Sequence, residues 1–239
     1  MDKSKLVRFI EKYYLDKEVQ SVILETKSDI LFTRFITGDK SLLGELTMSK
    51  WKFENSEIGV YNTEQFLKLL DVLDADVNLT LTRVGDKSVA LRVSDKLSSV
   101  NYMLSSLSVI NRPPEMKRLP SNFELKINVG REFIHKFVTG KSALPETDTF
   151  TVLTDNGNTK VVIGYSAVNT NRVILPVNTS VYSDMNAISF NANIFSKVLV
   201  ANKECESAEL QISSEGLAKI NFKVDEYDVT YYLVEQLLQ

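Results

Sequence analysis

The chain repeats itself, and this constrains its fold more than any single motif. Residues 1–110 and 122–239 can be laid on each other. An early helical stretch matches Phe9 with Phe133, Ile10 with Ile134, Lys12 with Lys136 and Tyr13 with Phe137, a displacement of 124 (133 − 9). The next strands match Ile23 with Val152 and Leu24 with Leu153 at 129 (152 − 23). Ile30, Leu31 and Phe32 then match Val161, Val162 and Ile163 at 131 (161 − 30), which implies a turn longer by two residues. A second helical stretch matches Phe66 with Phe195, Lys68 with Lys197, Leu69 with Val198 and Leu70 with Leu199 at 129 (195 − 66). The closing strands match Leu79 with Leu210, Leu81 with Ile212, Gly85 with Gly216 and Leu91 with Phe222 at 131 (210 − 79). The displacement changes only across turns, where insertions are tolerated. The expected class is therefore α+β, with two similar domains.

Each half reads as two short helices among many strands. Leu6, Phe9, Ile10 and Tyr13 fall at i, i+3, i+4 and i+7, which predicts a helix over 5–14. Asn62 or Thr63 caps a second helix over 64–73. Strands are expected at 19–25, 30–36, 42–48, 57–61, 77–84, 88–93 and 97–103. In the second half, helices are expected over 131–138 and 192–200. Strands there are expected at 123–129, 150–154, 160–165, 172–176, 188–190, 210–213, 219–224 and 229–234. Between the halves, Asn111-Arg112-Pro113-Pro114 and Leu119-Pro120 disfavour regular structure. Residues 111–121 are thus the expected connector between an N-terminal domain (1–110) and a C-terminal domain (122–239).

Composition narrows the chemistry. The single cysteine, Cys205, permits no internal disulfide and points to a reducing compartment. The single histidine, His135, excludes a His-rich zinc site and lies in a helical, charged pattern unlike that of a catalytic base. There is no Gly-rich phosphate loop and no metal-ligand cluster, so neither an enzyme nor a cofactor is expected. The charged N-terminus does not resemble a signal peptide, and no run approaches the length of a membrane span. A soluble, cytoplasmic chain is expected.

The net charge of -3, from 28 basic and 31 acidic residues, argues against nucleic acid as a partner only if the charges are evenly spread. Lys5, Arg8 and Lys12 form a stripe on the first helix, and Lys68, Lys136 and Lys197 recur on the other three. Arg131 and Lys141 add to the third. Gathered on one surface, these groups would bind phosphate without reading sequence, since no base-reading motif is present. Acidic neighbours on the same helices, Glu11, Glu64, Asp71 and Glu132, support the other reading, an ordinary solvated face.

The duplicated halves, the Pro-containing connector and two stretches of sequence together resemble the DNA sliding clamps. Val60-Tyr61-Asn62-Thr63-Glu64-Gln65-Phe66-Leu67-Lys68-Leu69-Leu70 resembles the strand-into-helix element of the polymerase clamps of T-even-type bacteriophages. Tyr231-Tyr232-Leu233 resembles the last strand of eukaryotic proliferating cell nuclear antigen. The resemblance implies the DNA clamp fold, with two short helices packed on antiparallel sheets in each domain. It implies a homotrimeric ring around double-stranded DNA, with Lys5, Arg8, Lys12, Lys68, Arg131, Lys136, Lys141 and Lys197 facing the hole. It also implies a DNA polymerase and a clamp loader as partners, inside an infected bacterial host. A partner peptide would dock in a groove formed by Ile110, Met116 and Leu119 with Leu233, Val234 and Leu237. After Leu233 the chain lacks the Ala-Pro pair of the eukaryotic pattern. The other reading of these features is a structural protein of duplicated β-rich domains that does not bind DNA.

Overall fold

The structure is a computed structural model that describes residues 1–116, 118–166, 168 and 170–236. It divides into two compact units. The first comprises Met1–Phe35 with Glu45–Pro114, and the second Ile36–Gly44 with Glu115–Gln239.

The first unit opens with helix α1 (Lys3–Tyr14), followed by strands β1 (Val22–Lys27), β2 (Ile30–Ile36), β3 (Leu42–Met48) and β4 (Ser56–Val60). Helix α2 (Thr63–Leu70) leads into β5 (Asn78–Val84), β6 (Lys87–Ser94) and β7 (Ser99–Met103). The strands order as β3-β2-β1-β4 and as β5-β6-β7. Both helices are capped by side chains: Asp2 accepts from the Ser4 N–H, and Asn62 from the Gln65 N–H. Leu6, Phe9, Ile10 and Tyr13 of α1 and Phe66 and Leu70 of α2 are buried. Their spacing turns one apolar face of each helix inward.

The second unit runs β8 (Leu125–Gly130), α3 (Arg131–Ala143), β9 (Thr149–Asp155), β10 (Asn158–Ile163), β11 (Val173–Val177), β12 (Thr179–Val181), β13 (Ile188–Asn191), α4 (Ala192–Ala201), β14 (Ser207–Ser213), β15 (Leu217–Val224) and β16 (Tyr227–Val234). Its sheets order as β11-β10-β9-β13 and as β12-β8-β14-β15-β16. The core centres on Phe137, Phe150 and Phe195. Phe137 meets the other two edge-on, with centroids 5.3 and 5.0 Å away, and Phe150 stacks on Phe195 at 4.9 Å.

The duplication is present, in a different register from the one expected. The N-caps of α1 and α3, Asp2 and Gly130, are 128 apart (130 − 2). The first hairpins turn at Lys27↔Ile30 and Asp155↔Asn158, again 128 apart and with turns of equal length. From the second helix onward the displacement is 129: Asn62 and Asn191 cap α2 and α4, and the ladder pair Leu91↔Tyr102 repeats as Ile220↔Tyr231. The expected 124 was one helical turn off, because a slip of four residues keeps an apolar helix face in phase. The expected 131 in the closing strands was two residues off, which likewise preserves strand alternation. In the first hairpin the expected 129 and 131 were one and three residues off, because a run buried throughout, such as Val22–Leu24, carries no alternation to fix its register. Lys12 is therefore the counterpart of Gly140, and Lys136 that of Arg8. Lys68 and Lys197 remain matched.

Several elements begin or end two to three residues from their expected bounds, and α3 departs most, ending at 143 rather than 138. Helix α3 continues past Gly140 because that glycine serves close packing: a Cβ there would lie 3.0 Å from Val173 Cγ1 of β11. The short strand β12, paired with β8, was not foreseen. A 3-10 turn, Leu107–Val109, precedes the stretch expected as the connector (111–121). Beyond the turn, described residues up to 124 form no helix or strand.

Candidate nucleic-acid interface

In each unit the helices turn an apolar face to the sheets, leaving their remaining faces to carry charge. Lys68 on α2 and Arg131 and Lys136 on α3 are exposed. Lys5 and Arg8 on α1 and Lys197 on α4 are half-buried.

Two of the expected basic groups are not on the surface. Lys12 is 1% exposed. On the helical wheel it lies only about 110° from the middle of the Leu6–Phe9–Ile10–Tyr13 face, on the flank rather than the back. Its long stem is covered there. Lys141, 7% exposed, folds back over the end of its own helix, where its Nζ donates to the carbonyls of Leu144 (3.3 Å) and Pro145 (3.1 Å). A lysine in the last helical turn satisfies carbonyls that lack an intrahelical donor. Lys3 does the same for α2, donating to Leu70 O at 3.2 Å and to Leu73 O.

Each exposed base has an acidic neighbour. Lys68 Nζ is 2.8 Å from Glu64 Oε1, one turn away on α2. Lys136 Nζ is 2.7 Å from Glu132 Oε1, and Arg131 Nη2 is 3.2 Å from Glu206 Oε1. Hydrogen bonding to Lys68, then the charges of Lys17 and Lys68, hold the Glu64 carboxyl below its ordinary value, and Lys136 does the same for Glu132. Lys17 was missed by sequence reasoning because it falls outside any helical stripe. Its Nζ lies 3.5 Å from the same Glu64 Oε1.

Tyr102 fixes the start of α2. Its hydroxyl accepts from the Asn62 N–H (3.0 Å) and donates to the Asn62 carbonyl (3.1 Å). The matching Tyr231 accepts instead from Asn202 Nδ2 just beyond α4, at 2.9 Å. Burial pushes the Tyr231 phenol well above its ordinary value, although the Asn202 bond favours the charged form.

The expected groove residues divide. Ile110 (4% exposed) and Leu233 (1%) are core residues and present no docking surface. Leu233 pairs with buried Ala218 on the inward side of β16, so its neighbour Val234 faces outward. Leu119 and Val234 are exposed and Met116 is half-buried; Leu237 lies outside the described residues. Cys205 is buried, and its thiol donates to Ser207 O at 3.1 Å. Among the described residues no group of three or more His, Cys, Asp or Glu side chains could hold a metal, and no helix is long and apolar enough to cross a membrane.

The two units also differ in how their sheet edges end. The tip Ile36–Gly44 belongs to the second unit, where Ser41 O accepts from the Val234 N–H of β16 at 3.0 Å. Strand β7, the counterpart of β16, ends its sheet, and β11 ends its own. Beside β11, Phe133 and Lys136 of α3 line a groove of about 490 Å³ with Ile174 and Pro176.

No protein-family model matches the chain, and no curated protein matches it. Solved structures do. Proliferating cellular nuclear antigen from Entamoeba histolytica superposes with a TM-score of 0.75 at 14% identity, over 99% of this chain and 97% of that one. The proliferating cell nuclear antigen (PCNA) of Thermococcus kodakaraensis superposes with a TM-score of 0.74 at 13% identity, over 99% and 98%. The chain thus has, along nearly its whole length, the two-domain α+β fold of these antigens.

Proposed function

We propose that the chain is a non-enzymatic sliding clamp of the phage type. Three copies close head to tail around duplex DNA, and the ring tethers the replicative polymerase after a clamp loader has opened it, in the cytoplasm of an infected bacterial host. The observation that carries this reading is a difference between counterpart strand edges in a duplicated chain. The outer edge of β16 is occupied by residues of the first half, whereas its counterpart β7 and the strand β11 are sheet ends. A like edge pairing between copies sets β7 of one against β11 of the next. A heterologous contact of this kind closes into a ring when its rotation permits. Met103 on β7 and Ile174 on β11, 68% and 50% exposed, become covered by it.

Function then follows from topology. A closed ring leaves duplex DNA only over an end, so weak contacts suffice. Lys5, Arg8, Lys68, Arg131, Lys136 and Lys197 supply phosphate contacts that carry no sequence information. Lys12 and Lys141 drop out of the DNA-facing set because both are buried. Among the described groove residues, Met116, Leu119 and Val234 keep accessible surface for a short amphipathic partner peptide.

Threading tests the reading. The protein should bind linear duplex with free ends and lose that binding when both ends carry bulky blocks. Equal binding to free-ended and end-blocked duplex would show a surface binder and contradict the ring.

A further inference from the structure

One carboxylate oxygen, Glu64 Oε1, holds two cations that come from different elements. Lys68 Nζ approaches it at 2.8 Å from within α2, and Lys17 Nζ at 3.5 Å from the turn after α1. That turn is costly. Leu15, Asp16 and Lys17 follow one another with φ of 47°, 47° and 78°, left-handed values that L side chains adopt at an energetic cost. Backbone bonds from Glu18 N–H to Leu15 O and from Val19 N–H to Tyr14 O hold it closed. The strained turn thus directs a lysine at the first turn of the neighbouring helix. The matching position on α4 is Asn193, which donates to Asp148 Oδ1 at 2.9 Å, so this two-lysine fork has no counterpart there.

We propose that Glu64 is a built-in competitor for DNA phosphate, and that Lys17 and Lys68 are the fork it occupies when DNA is absent. This rests on the clamp reading above. A carboxylate and a phosphodiester offer the same thing to an ammonium group, an anionic oxygen acceptor. When a phosphate enters, the two lysines exchange one partner for the other, and the net gain per contact is small. Weak exchange of this kind suits a ring that must move along DNA: the fork stays gathered, and no single phosphate is held firmly. The three side chains are 62%, 33% and 72% exposed for Lys17, Glu64 and Lys68, so DNA can reach them without rearrangement of the core.

The test measures affinity for a short free-ended duplex, by fluorescence anisotropy over a range of salt, for the full chain and its variants. Glu64→Gln keeps the size and helix preference of the side chain and removes its charge. It should bind about two- to tenfold tighter at low salt, the range set by two exposed ion pairs. It should also show a steeper salt dependence, by about one unit in the log–log slope for each lysine set free. Lys17→Ala combined with Lys68→Ala should bind more weakly than the parent. If Glu64→Gln binds no tighter while the double lysine variant weakens, the lysines touch DNA but Glu64 does not compete, and the proposal falls while the clamp reading stands. If neither variant changes binding, the fork does not meet DNA, and the assignment of this face to the hole falls with it. Thermal melting of each variant checks that the fold is retained.

Discussion

Glu25 and Glu57 lie directly opposite each other on neighbouring strands, and a single residue from outside the sheet, Arg112, bridges both. They are ladder partners in the β1–β4 pair. Arg112 Nη1 is 3.5 Å from Glu25 Oε1, and its Nη2 donates to Glu57 Oε1. Like charges directly opposite on a sheet are destabilising. Arg112 thus supplies a cation where the first unit needs one. Arg112→Ala should cost about 0.5–1 kcal/mol in chemical denaturation. Adding Glu57→Gln should recover much of that loss. If the double variant is less stable than Arg112→Ala alone, the bridge is not relieving repulsion.

Gly59 is required by close approach rather than by backbone torsion. A Cβ there would lie 2.6 Å from Ser105 O and 2.8 Å from Ile110 Cδ1. The carbonyl is fixed, since Gly59 O accepts from the Ser105 N–H at 3.0 Å. Gly59→Ala should destabilise the chain by about 1–3 kcal/mol, the usual cost of forcing a methyl group into filled space. Gly38→Ala is the comparison, because nothing lies within 4 Å of a Cβ at that position. Equal melting temperatures for the two variants would refute the packing argument.

Asp95 ties together the turn between β6 and β7. Its carboxylate accepts from the backbone N–H groups of Asp74 (2.7 Å), Leu97 (2.8 Å) and Ser98 (2.6 Å). Those bonds, led by that from Asp74, hold its pKa below the ordinary 3.8. A carboxyl whose folded value is depressed adds stability that is fully present above its unfolded value and is lost as the pH falls through the folded one. The parent chain should therefore lose stability as the pH drops below about 4. Asp95→Asn should be less stable at neutral pH and should lose less on acidification. An unchanged acid slope in the variant would sink this assignment. Glu64 and Glu132 titrate in the same acid direction, so the comparison reads the difference between parent and variant.

Ring closure has its own edge-specific test. Met103→Asp or Ile174→Asp places a charge at an outward position on a proposed joint strand, leaving the buried positions Tyr102 and Leu175 untouched. Each variant should remain folded by circular dichroism and sediment as a smaller species than the parent. Parent-like sedimentation for both would remove β7 and β11 from the joint.

Much of the fold was legible because apolar spacing reports a face. Phe9, Phe66, Phe137 and Phe195 are fully buried, as their spacing required. Register was less legible, for the same reason: a slip of one helical turn or of two strand residues leaves the pattern intact. Only caps and ladder pairs, such as Leu91↔Tyr102 against Ile220↔Tyr231, distinguish the alternatives. On the charged faces, sequence separated lysines from the apolar stripe but could not say what each ammonium reaches. Lys12 and Lys141 end up buried, and Lys141 turns its ammonium to the Leu144 and Pro145 carbonyls just past α3. Lys17 escaped notice because a left-handed turn, not a helical period, brings it to Glu64. Burial of Ile110 against Gly59 depends on a contact with no local signature.

The central claim, a ring of three copies, is tested most directly by the solution mass of the intact chain, measured by light scattering at micromolar concentration. The chain mass is 27.0 kDa, so the account predicts a single species of about 81 kDa, three times that value. A stable species at the mass of one chain would contradict it.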